Sequence, residues 1–508
     1  MAPARPAAAT ATPAGSATGA PTRIPRMELR DVLGASVTGS GPSPEITALA
    51  YDNRKVVPGT LFFCVPGFTT DGHDFAPDAV ARGAAALVVE RVLDGIDPAV
   101  PQVLVPSVRA AMAPAAAAFH GDPTARLAMV GITGTNGKTT SAFLVRDVLE
   151  AAGIPTGLLG TIRSVVGGEP HEAVRTTPEA IDLQATFAAM LAAGDEACVM
   201  EVSSHALALH RADGIHWDAA IFTNLTQDHL DFHADMDDYL AAKRRLLEAD
   251  SGVRILNVDD PHGAALAAAF PGAVTVGIDH EADVQAVGVR STAAGSEFTV
   301  DGVHFAIPLP GRFNVSNALG AIAAARSLGV SDPVIAGALP RAGRVPGRFE
   351  PVDEGQGFAV LVDYAHTPDS LDNVLRAARD LAGDGRVLCV VGAGGDRDRG
   401  KRPIMGATAW RLADRTVVTS DNPRSEDPYA IIEEVLAEVP ETDVGARVEV
   451  LEDRRRAIER AVALAADGDV LVIAGKGHEQ GQELKDGLKV PFDDVTVARE
   501  ALRAQLDA

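Results

Sequence analysis

The stretch GITGTNGKTT, residues 131–140, joins a short apolar run (Leu127, Met129, Val130) to SAFLVRDVLE, in which Leu144, Val148 and Ala151 recur at helical spacing. Strand, glycine-rich loop and helix start together make a phosphate cradle. Glycines let backbone N–H groups close on an anion, the helix N-terminus adds its dipole, and Lys138 supplies a point charge. Thr139, directly after the lysine, is placed to put its hydroxyl on Mg²⁺. The spacing departs from the strict P-loop pattern, whose first glycine position falls on Ile132 here. A nucleoside triphosphate is the expected ligand, on an α/β fold.

Working outward, the same rhythm of buried strand, polar loop and helix recurs on both sides. Upstream, TLFFCV (60–65) and AAALVV (84–89) read as strands, and HGDPT (120–124) is a natural joint. Downstream, ACVMEV (197–202) and AAIFTN (219–224) are further buried strands. A second joint falls in RAGRVPG (341–347), after which the rhythm restarts. AVLV leads to DYAHTPD (363–369), VLCVV to GAGGDRDRGKR (392–402), TVVT to SDNPRSEDP (420–428) and VLVI to AGKGHEQ (474–480). Four polar loops therefore follow four expected strands, the edge at which open α/β sheets bind ligands. The expected division is a tail over 1–26 and domains over 27–124, 125–343 and 344–508, with no internal repeat.

With 508 residues, three domains of ordinary size are expected. Aromatic residues make up only 4% of the chain against 46% hydrophobic, so the cores must be built from Ala, Val, Leu and Ile. A formal charge of −24 argues against a nucleic-acid partner, which would want a basic stripe. Cys64, Cys198 and Cys389 are far apart in apolar runs and read as buried reduced thiols, which suits a cytoplasmic location. No apolar run approaches the length of a membrane span. The Ala/Pro/Thr-rich residues 1–26 lack the apolar core of a secretory signal and read as disordered.

In the middle region Glu201 ends a strand in MEVSSHAL, and His229 follows a strand in TNLTQDHLDFH. With Thr139 they offer a carboxylate, an imidazole and a hydroxyl for divalent ions beside a triphosphate. The set GTNGKTT, MEVSSHAL, TNLTQDHLDFH, YLAAKRRL, FNVSNALGA, GRFE, DYAHTPD and GKGHE, running in order from about residue 51 to 482, resembles the Mur ligase family. Within it the chain looks most like members that add the third amino acid to the UDP-N-acetylmuramoyl-dipeptide precursor of peptidoglycan. The resemblance implies a three-domain architecture, with a central P-loop ATPase-type parallel sheet and a C-terminal Rossmann-like domain. It also implies ATP-dependent amide synthesis. The dipeptide's carboxylate takes the γ-phosphoryl group of ATP to give an acyl phosphate, and an amine then displaces phosphate.

Carried over by position, the resemblance implies that Gly134, Thr135, Asn136, Gly137, Lys138, Thr139 and Thr140 hold the ATP phosphates. Asn314 and Asn317 would face the adenine, and Arg348 and Asp363 would reach the nucleotide as the C-terminal domain closes. Thr139, Glu201 and His229 would hold Mg²⁺. Lys243 of YLAAKRRL lies four residues after Tyr239 and three before Leu246, on an apolar stripe. The matching lysine of the family is carbamylated and binds a second Mg²⁺. Tyr51, Asp52 and Asn53, with Phe68, Thr69 and Thr70, match segments around the uridine. Thr176, Thr177, Ser203 and Arg211 match those around the muramoyl-dipeptide. Asn53 stands where many relatives have serine, and Leu209 where some have a substrate-touching glutamine.

The loop Asp421-Asn422-Pro423-Arg424 is narrower than the shared motifs. Arg424 is placed to fork onto a carboxylate, and Asp421 and Asn422 to receive an ammonium group. The family's diaminopimelate-adding members share this DNPR pattern, and its lysine-adding members lack the arginine. Arg397, Gly475 and Glu479 match the remaining amino-acid contacts. The resemblance implies small-molecule substrates only and a monomer. Two alternatives stay open: a ligase of the same fold adding lysine, a dipeptide or glutamate, and a P-loop switch that hydrolyses ATP without an amine acceptor.

Overall fold

The computed structural model describes residues 27–34, 43–249 and 251–507, so the tail expected over 1–26 lies outside the described residues. Three α/β sheets follow one another along the chain. The first is a parallel sheet of Ala48–Ala50, Thr60–Phe63, Ala84–Val89 and Gln102–Leu104, in that order. Its strands are short and nearly all apolar because helices cover both faces, as parallel sheets require.

The second sheet holds nine strands, ordered Glu169–Glu172, Arg163–Val166, Thr156–Leu159, Ala197–Glu201, Ala128–Thr133, Trp217–Phe222, Ser251–Asn257, Val274–Gly277 and Val284–Gln285. Only the Arg163–Val166 and Glu169–Glu172 edge hairpin runs antiparallel. The strand leading into the glycine-rich loop is therefore the middle one, flanked by the strands that lead to Glu201 and toward His229. Register matters here: Glu201 pairs with Ile132, and Phe222 with Thr133, so the three strands end at one level. Behind them the helices Lys138–Ala151 and Arg312–Ser327 pack as neighbours. The second is built from Ala and Gly, and Gly320 rides on Ile221, so a core poor in aromatics closes by near approach of backbones.

The third sheet is ordered Glu350–Pro351, Ala359–Asp363, Val470–Ala474, Val387–Val391, Arg415–Val418 and Val448–Val450, parallel except for the first strand. The strand preceding GKGHE lies between those preceding DYAHTPD and GAGGDRD. Its loop thus sits at the centre of the ligand edge. The sequence reading passed over the antiparallel parts: the edge hairpin, the sheet of Val287–Thr292, Gly295–Val300 and Val303–Ile307, and the hairpin Gly481–Glu483 with Lys489–Pro491. They are short, half-exposed and joined by tight turns such as Asp301-Gly302, both at positive φ.

Cys64, Cys198 and Cys389 are buried and unpaired, and burial pushes the thiols of Cys64 and Cys389 up to about 12. Among the described residues no helix is long and apolar enough to cross a membrane.

Under the third sheet, Arg454 and Asp494 form a fully buried ion pair through Nε–Oδ1 at 2.8 Å and Nη2–Oδ2 at 2.6 Å. Nη2 also donates to the carbonyl of Ala474, the last strand residue before GKGHE. Removing one partner leaves an uncompensated buried charge. Asp494→Ala is expected to cost about 3–5 kcal/mol of stability, read as a fall in the urea midpoint. A change below about 1 kcal/mol would show that the pair is not holding this face together.

Candidate active site between two sheet edges

The strand ends of the second sheet and the DYAHTPD loop of the third line one cavity of about 610 Å³. Its floor is the glycine-rich loop. Gly137 caps the Lys138–Ala151 helix at φ 86°, and a Cβ there would lie 2.3 Å from Asn317 Oδ1. A Cβ on Gly134 would lie 1.8 Å from Thr223 Oγ1. Only glycine fits at either position, which is why the loop can curl tightly enough to present its N–H groups.

Two lysines meet above this loop. Lys138 Nζ donates to the carbonyls of Gly134 at 2.9 Å and Thr135 at 2.8 Å. Lys243 Nζ donates to the same Gly134 oxygen at 2.8 Å and lies 4.4 Å from the Tyr239 ring centroid. Burial drives both side chains below the usual lysine range, Lys138 against the pull of Glu201, and Lys243 far below it with the charge of Lys138 adding to burial. Lys243 is fully buried among Tyr239, Ala242 and Leu246, so it is not a solvated helix lysine.

Thr139 Oγ1 donates to Glu201 Oε2 at 2.9 Å and accepts from Arg348 Nη2 at 3.2 Å. Glu201 is buried and also takes the N–H and hydroxyl of Thr161. His229 sits at φ 56° with its Nε2 3.5 Å from Asp228 Oδ2. Burial, then neighbouring His205, Lys138 and Lys243, hold its imidazole neutral against the pull of Asp228. A buried carboxylate, a hydroxyl and a neutral imidazole form a donor set suited to a divalent cation that also takes phosphate oxygens. Among the described residues no group of three or more His, Cys, Asp or Glu side chains is placed to hold a metal, so such an ion would draw on the hydroxyl, a modified Lys243 and substrate.

Arg348 closes the roof. Its guanidinium lies 4.7 Å from the Tyr364 ring centroid, and its Nε is buried without a hydrogen-bond partner. That is an unused donor on a side chain that lines the cavity. Asp363 accepts the Phe349 N–H at 2.6 Å, and burial pushes its carboxyl up to about 6. Asp369 accepts from Asn136 Nδ2 and Thr226 Oγ1, tying the third sheet's loop to the phosphate loop.

Not every expected residue arrives at the cavity. Asn317 lines it, as do Thr135, Asn136 and Thr140, whereas Asn314 does not. Asn314 is buried in the helix, giving Nδ2 to Pro310 O and taking Asn317 Nδ2 at its Oδ1, and so it positions Asn317. Thr176 and Ser203 line the cavity. Thr177, just behind, donates to the Glu201 carbonyl and accepts the Ser203 N–H. Arg211 meets Glu179 at 2.8 Å, where Arg175 and Arg109 also converge. In the first sheet's unit, the Tyr51 hydroxyl donates to Asp182 at 2.5 Å, Asn53 to Asp78 at 2.8 Å, and Asp52 caps a turn with Arg54. Phe68 is 79% exposed with Thr69 and Thr70 beside it, and its ring meets Phe232 edge-on. Leu209 closes the Ser204–Ala208 helix and offers no polar atom.

The DNPR loop contributes no residue to the lining of this cavity. The ammonium group expected there from a ligand is already supplied by the protein. Lys476 is 0% exposed and places Nζ 2.9 Å from Asn422 Oδ1, 3.0 Å from Glu479 Oε2 and 3.5 Å from Asp421 Oδ1. Asn422 Nδ2 donates to Glu479, and the Gly475 N–H to the Asp363 carbonyl. Pro423 is buried, and Arg397 is exposed on the neighbouring loop. Arg424 already has partners in Glu483 and the Gly395 carbonyl. Sequence reasoning missed Asp228, Asp369, Lys476, Arg109, Arg175 and Glu483. The first three sit inside motifs already singled out. The arginines and Glu483 carry no local signal.

Family models describe residues 45–120 as the Mur ligase family catalytic domain, 132–325 as the Mur ligase middle domain, and 347–477 as the Mur ligase glutamate ligase domain. The UDP-N-acetylmuramoyl-L-alanyl-D-glutamate–2,6-diaminopimelate ligase of Geobacillus thermodenitrificans is 48% identical over 480 residues, covering 91% of this chain and 96% of that protein. The Bacillus cereus protein of the same name is 46% identical, covering 92% and 96%. A solved structure of a ligase with this name matches with a TM-score of 0.68 at 30% identity, covering 95% of this chain and 99% of that one. With three α/β units in the order these models describe and near-complete coverage by such relatives, the chain belongs to the Mur ligase family.

Proposed function

We propose that the chain joins 2,6-diaminopimelate to the glutamate carboxylate of UDP-N-acetylmuramoyl-L-alanyl-D-glutamate, with ATP converted to ADP and phosphate. One observation carries this reading. A phosphate loop with its hydroxyl–carboxylate pair lines a cavity bounded by Tyr364, whose hydroxyl meets Glu479, and Glu479 in turn takes Asn422 of the loop bearing Asp421 and Arg424. Residues 27–124 hold the UDP moiety through the Tyr51–Asn53 and Phe68–Thr70 segments. Residues 125–343 hold ATP, and residues 344–508 the amino acid. The chain works as a cytoplasmic monomer, since ATP and the UDP-linked precursor are cytoplasmic and one chain lines the whole cavity.

In this mechanism the loop N–H groups and Lys138 grip the β- and γ-phosphates, and Arg348 Nε takes an oxygen of the phosphate chain. Thr177 and Ser203, held together behind Glu201, orient the substrate carboxylate in line with the γ-phosphorus. Thr139, Glu201 and His229 would hold magnesium, which would supply positive charge between the two anions. The carboxylate takes the phosphoryl group, and the amine at the other end of the amino acid, whose distal end is held on the DNPR side, then attacks the acyl carbon and gives up a proton. Phosphate leaves from the tetrahedral intermediate. Lys243 is assigned as a carbamate. The support is its buried amine, held well below the usual lysine range by burial in the direction of the neutral form that adds CO₂, beside Lys138, whose charge the new anion would face.

Purified protein with ATP, Mg²⁺ and the UDP-dipeptide should release phosphate and form a tripeptide only when diaminopimelate is added. Equal turnover with L-lysine would remove the specificity assignment, and amine-independent hydrolysis the ligase reading. Arg424→Ala should lower kcat/KM for diaminopimelate about thirty-fold, equivalent to about 2 kcal/mol, the low end for a buried charge pair because Arg424 is part-exposed. Arg424→Lys should recover only part of this, lacking the planar fork. Unchanged kinetics in the alanine variant would remove Arg424 from the site.

Lys243→Ala should nearly abolish tripeptide formation while the protein stays folded by circular dichroism. Formate or acetate should recover part of the activity by supplying a small carboxylate, and chloride at equal ionic strength should not. Near-wild-type activity in this variant would return Lys243 to a packing role.

A further inference from the structure

We propose that Glu483 sets amino-acid selectivity: it is a resident carboxylate on the one complete hydrogen-bonding edge of Arg424, and the distal carboxylate of the incoming amino acid must displace it. The inference rests on the diaminopimelate reading and concerns a residue outside every motif that supports that reading.

The argument starts from the donors of Arg424. A guanidinium can fork onto a carboxylate end-on through Nη1 and Nη2, or side-on through Nε and Nη2. Here Nη1 donates to the Gly395 carbonyl at 2.7 Å, so the end-on fork is taken up by the backbone. The side-on edge remains, and Glu483 Oε2 holds its Nε at 3.0 Å. Among the described residues Nη2 has no partner. Glu483 therefore makes a single bond on an edge built for two, and a ligand carboxylate needs that same Nε.

The surroundings show which partner can move. The backbone of Arg424 is fixed at φ 51°, with its N–H on the Glu483 carbonyl at 3.1 Å. The Glu483 N–H donates to Asn422 Oδ1 at 2.9 Å, and Gln482 Nε2 to the Asp421 carbonyl at 2.6 Å. The strand Gly481–Glu483 is thus stitched along the DNPR loop and backed by Lys489–Pro491. What is free to rotate is the Glu483 side chain, 36% exposed against 21% for Arg424. Displacement needs a rotamer change and no loop movement.

The consequence is selective by charge. A ligand with a distal carboxylate exchanges like for like at Arg424, releasing Glu483 to water. A ligand with only a distal ammonium leaves Glu483 in place, and Glu483 then screens it from the arginine. Removing the charge of Glu483 should therefore act with opposite sign on the two ligand types: Arg424 becomes more available to carboxylates and more repulsive to ammonium groups. A merely structural role for Glu483 in holding the strand would shift both in the same direction.

The test is steady-state phosphate release by the full chain with ATP, Mg²⁺ and the UDP-dipeptide, comparing wild type with Glu483→Gln and Glu483→Ala. With diaminopimelate, KM should fall about two- to five-fold in both variants, the range of a part-exposed ion pair. The inhibition constant of L-lysine against diaminopimelate should rise. A KM that is unchanged or higher in Glu483→Gln, or constants for the two ligands that move together, overturns the inference. Wild-type turnover with diaminopimelate separates the two levels. Its absence removes the proposed function and this inference with it, whereas wild-type turnover with an unmoved KM in the variants removes this inference alone.

Discussion

Two lysine side chains, Lys138 and Lys243, donate to the single carbonyl oxygen of Gly134. In a dry site two ammonium groups sharing one acceptor cannot both keep their protons cheaply, and Lys243, the more deeply enclosed, is the one driven far toward the neutral amine. Much of the site follows from that constraint. Lys138 stays available as the phosphate-facing cation because Glu201 and Asp228 favour its charge. Lys243 is held against the Tyr239 ring and closed off from solvent. A glycine at 134 is needed for the geometry itself, since any side chain there would collide with Thr223.

That convergence is possible because three parallel strands end at one level. The pairing of Glu201 with Ile132 and of Phe222 with Thr133 sets the carboxylate of one neighbour and the loop of the other beside the glycine-rich turn. A shift of one residue would turn Glu201 to the opposite face of the sheet. The third sheet repeats the device. Its GKGHE strand lies between two others, so Lys476 and Glu479 meet the DNPR loop on one side and Tyr364 on the other. Asp369 and Arg348 then reach across to Asn136 and Thr139, so the cleft is closed by side chains that belong to both edges.

What was legible in the sequence was whatever is local. The glycine loop, the strand-end Glu201, the apolar stripe carrying Lys243 and the four polar loops of the C-terminal region are each readable from a few neighbouring residues. Parallel strands buried on both faces announce themselves as apolar runs, whereas the half-exposed antiparallel pieces near 287–307 and 481–491 are visible mainly through their turns. Asn314 shows the opposite failure: it shares a motif with Asn317, yet the helix turns it inward, and spacing of three along a helix does not say which of two asparagines faces a cleft. Glu483 and Arg109 were out of reach because their partners, Arg424 and Glu179, lie tens of residues away, and only the folded chain brings them together.

The amino-acid pocket is best understood as a charge count. Asp421, Glu479 and Glu483 bring three carboxylates, while Lys476 and Arg424 bring two cations, so the inner surface is one positive charge short of neutral. Behind it the Arg454–Asp494 pair is closed on itself and leaves that count unchanged. A zwitterionic distal group fits such a surface only if its carboxylate evicts a resident one, because adding a fourth anion to two cations is unfavourable in a part-buried site. When Glu483 leaves for water, the ligand's carboxylate replaces it, and the ligand's ammonium supplies the missing positive charge. A ligand bearing the ammonium alone would also balance the count, with Glu483 in place. Discrimination against it therefore rests on the bidentate edge of Arg424, which one glutamate oxygen fills only by half.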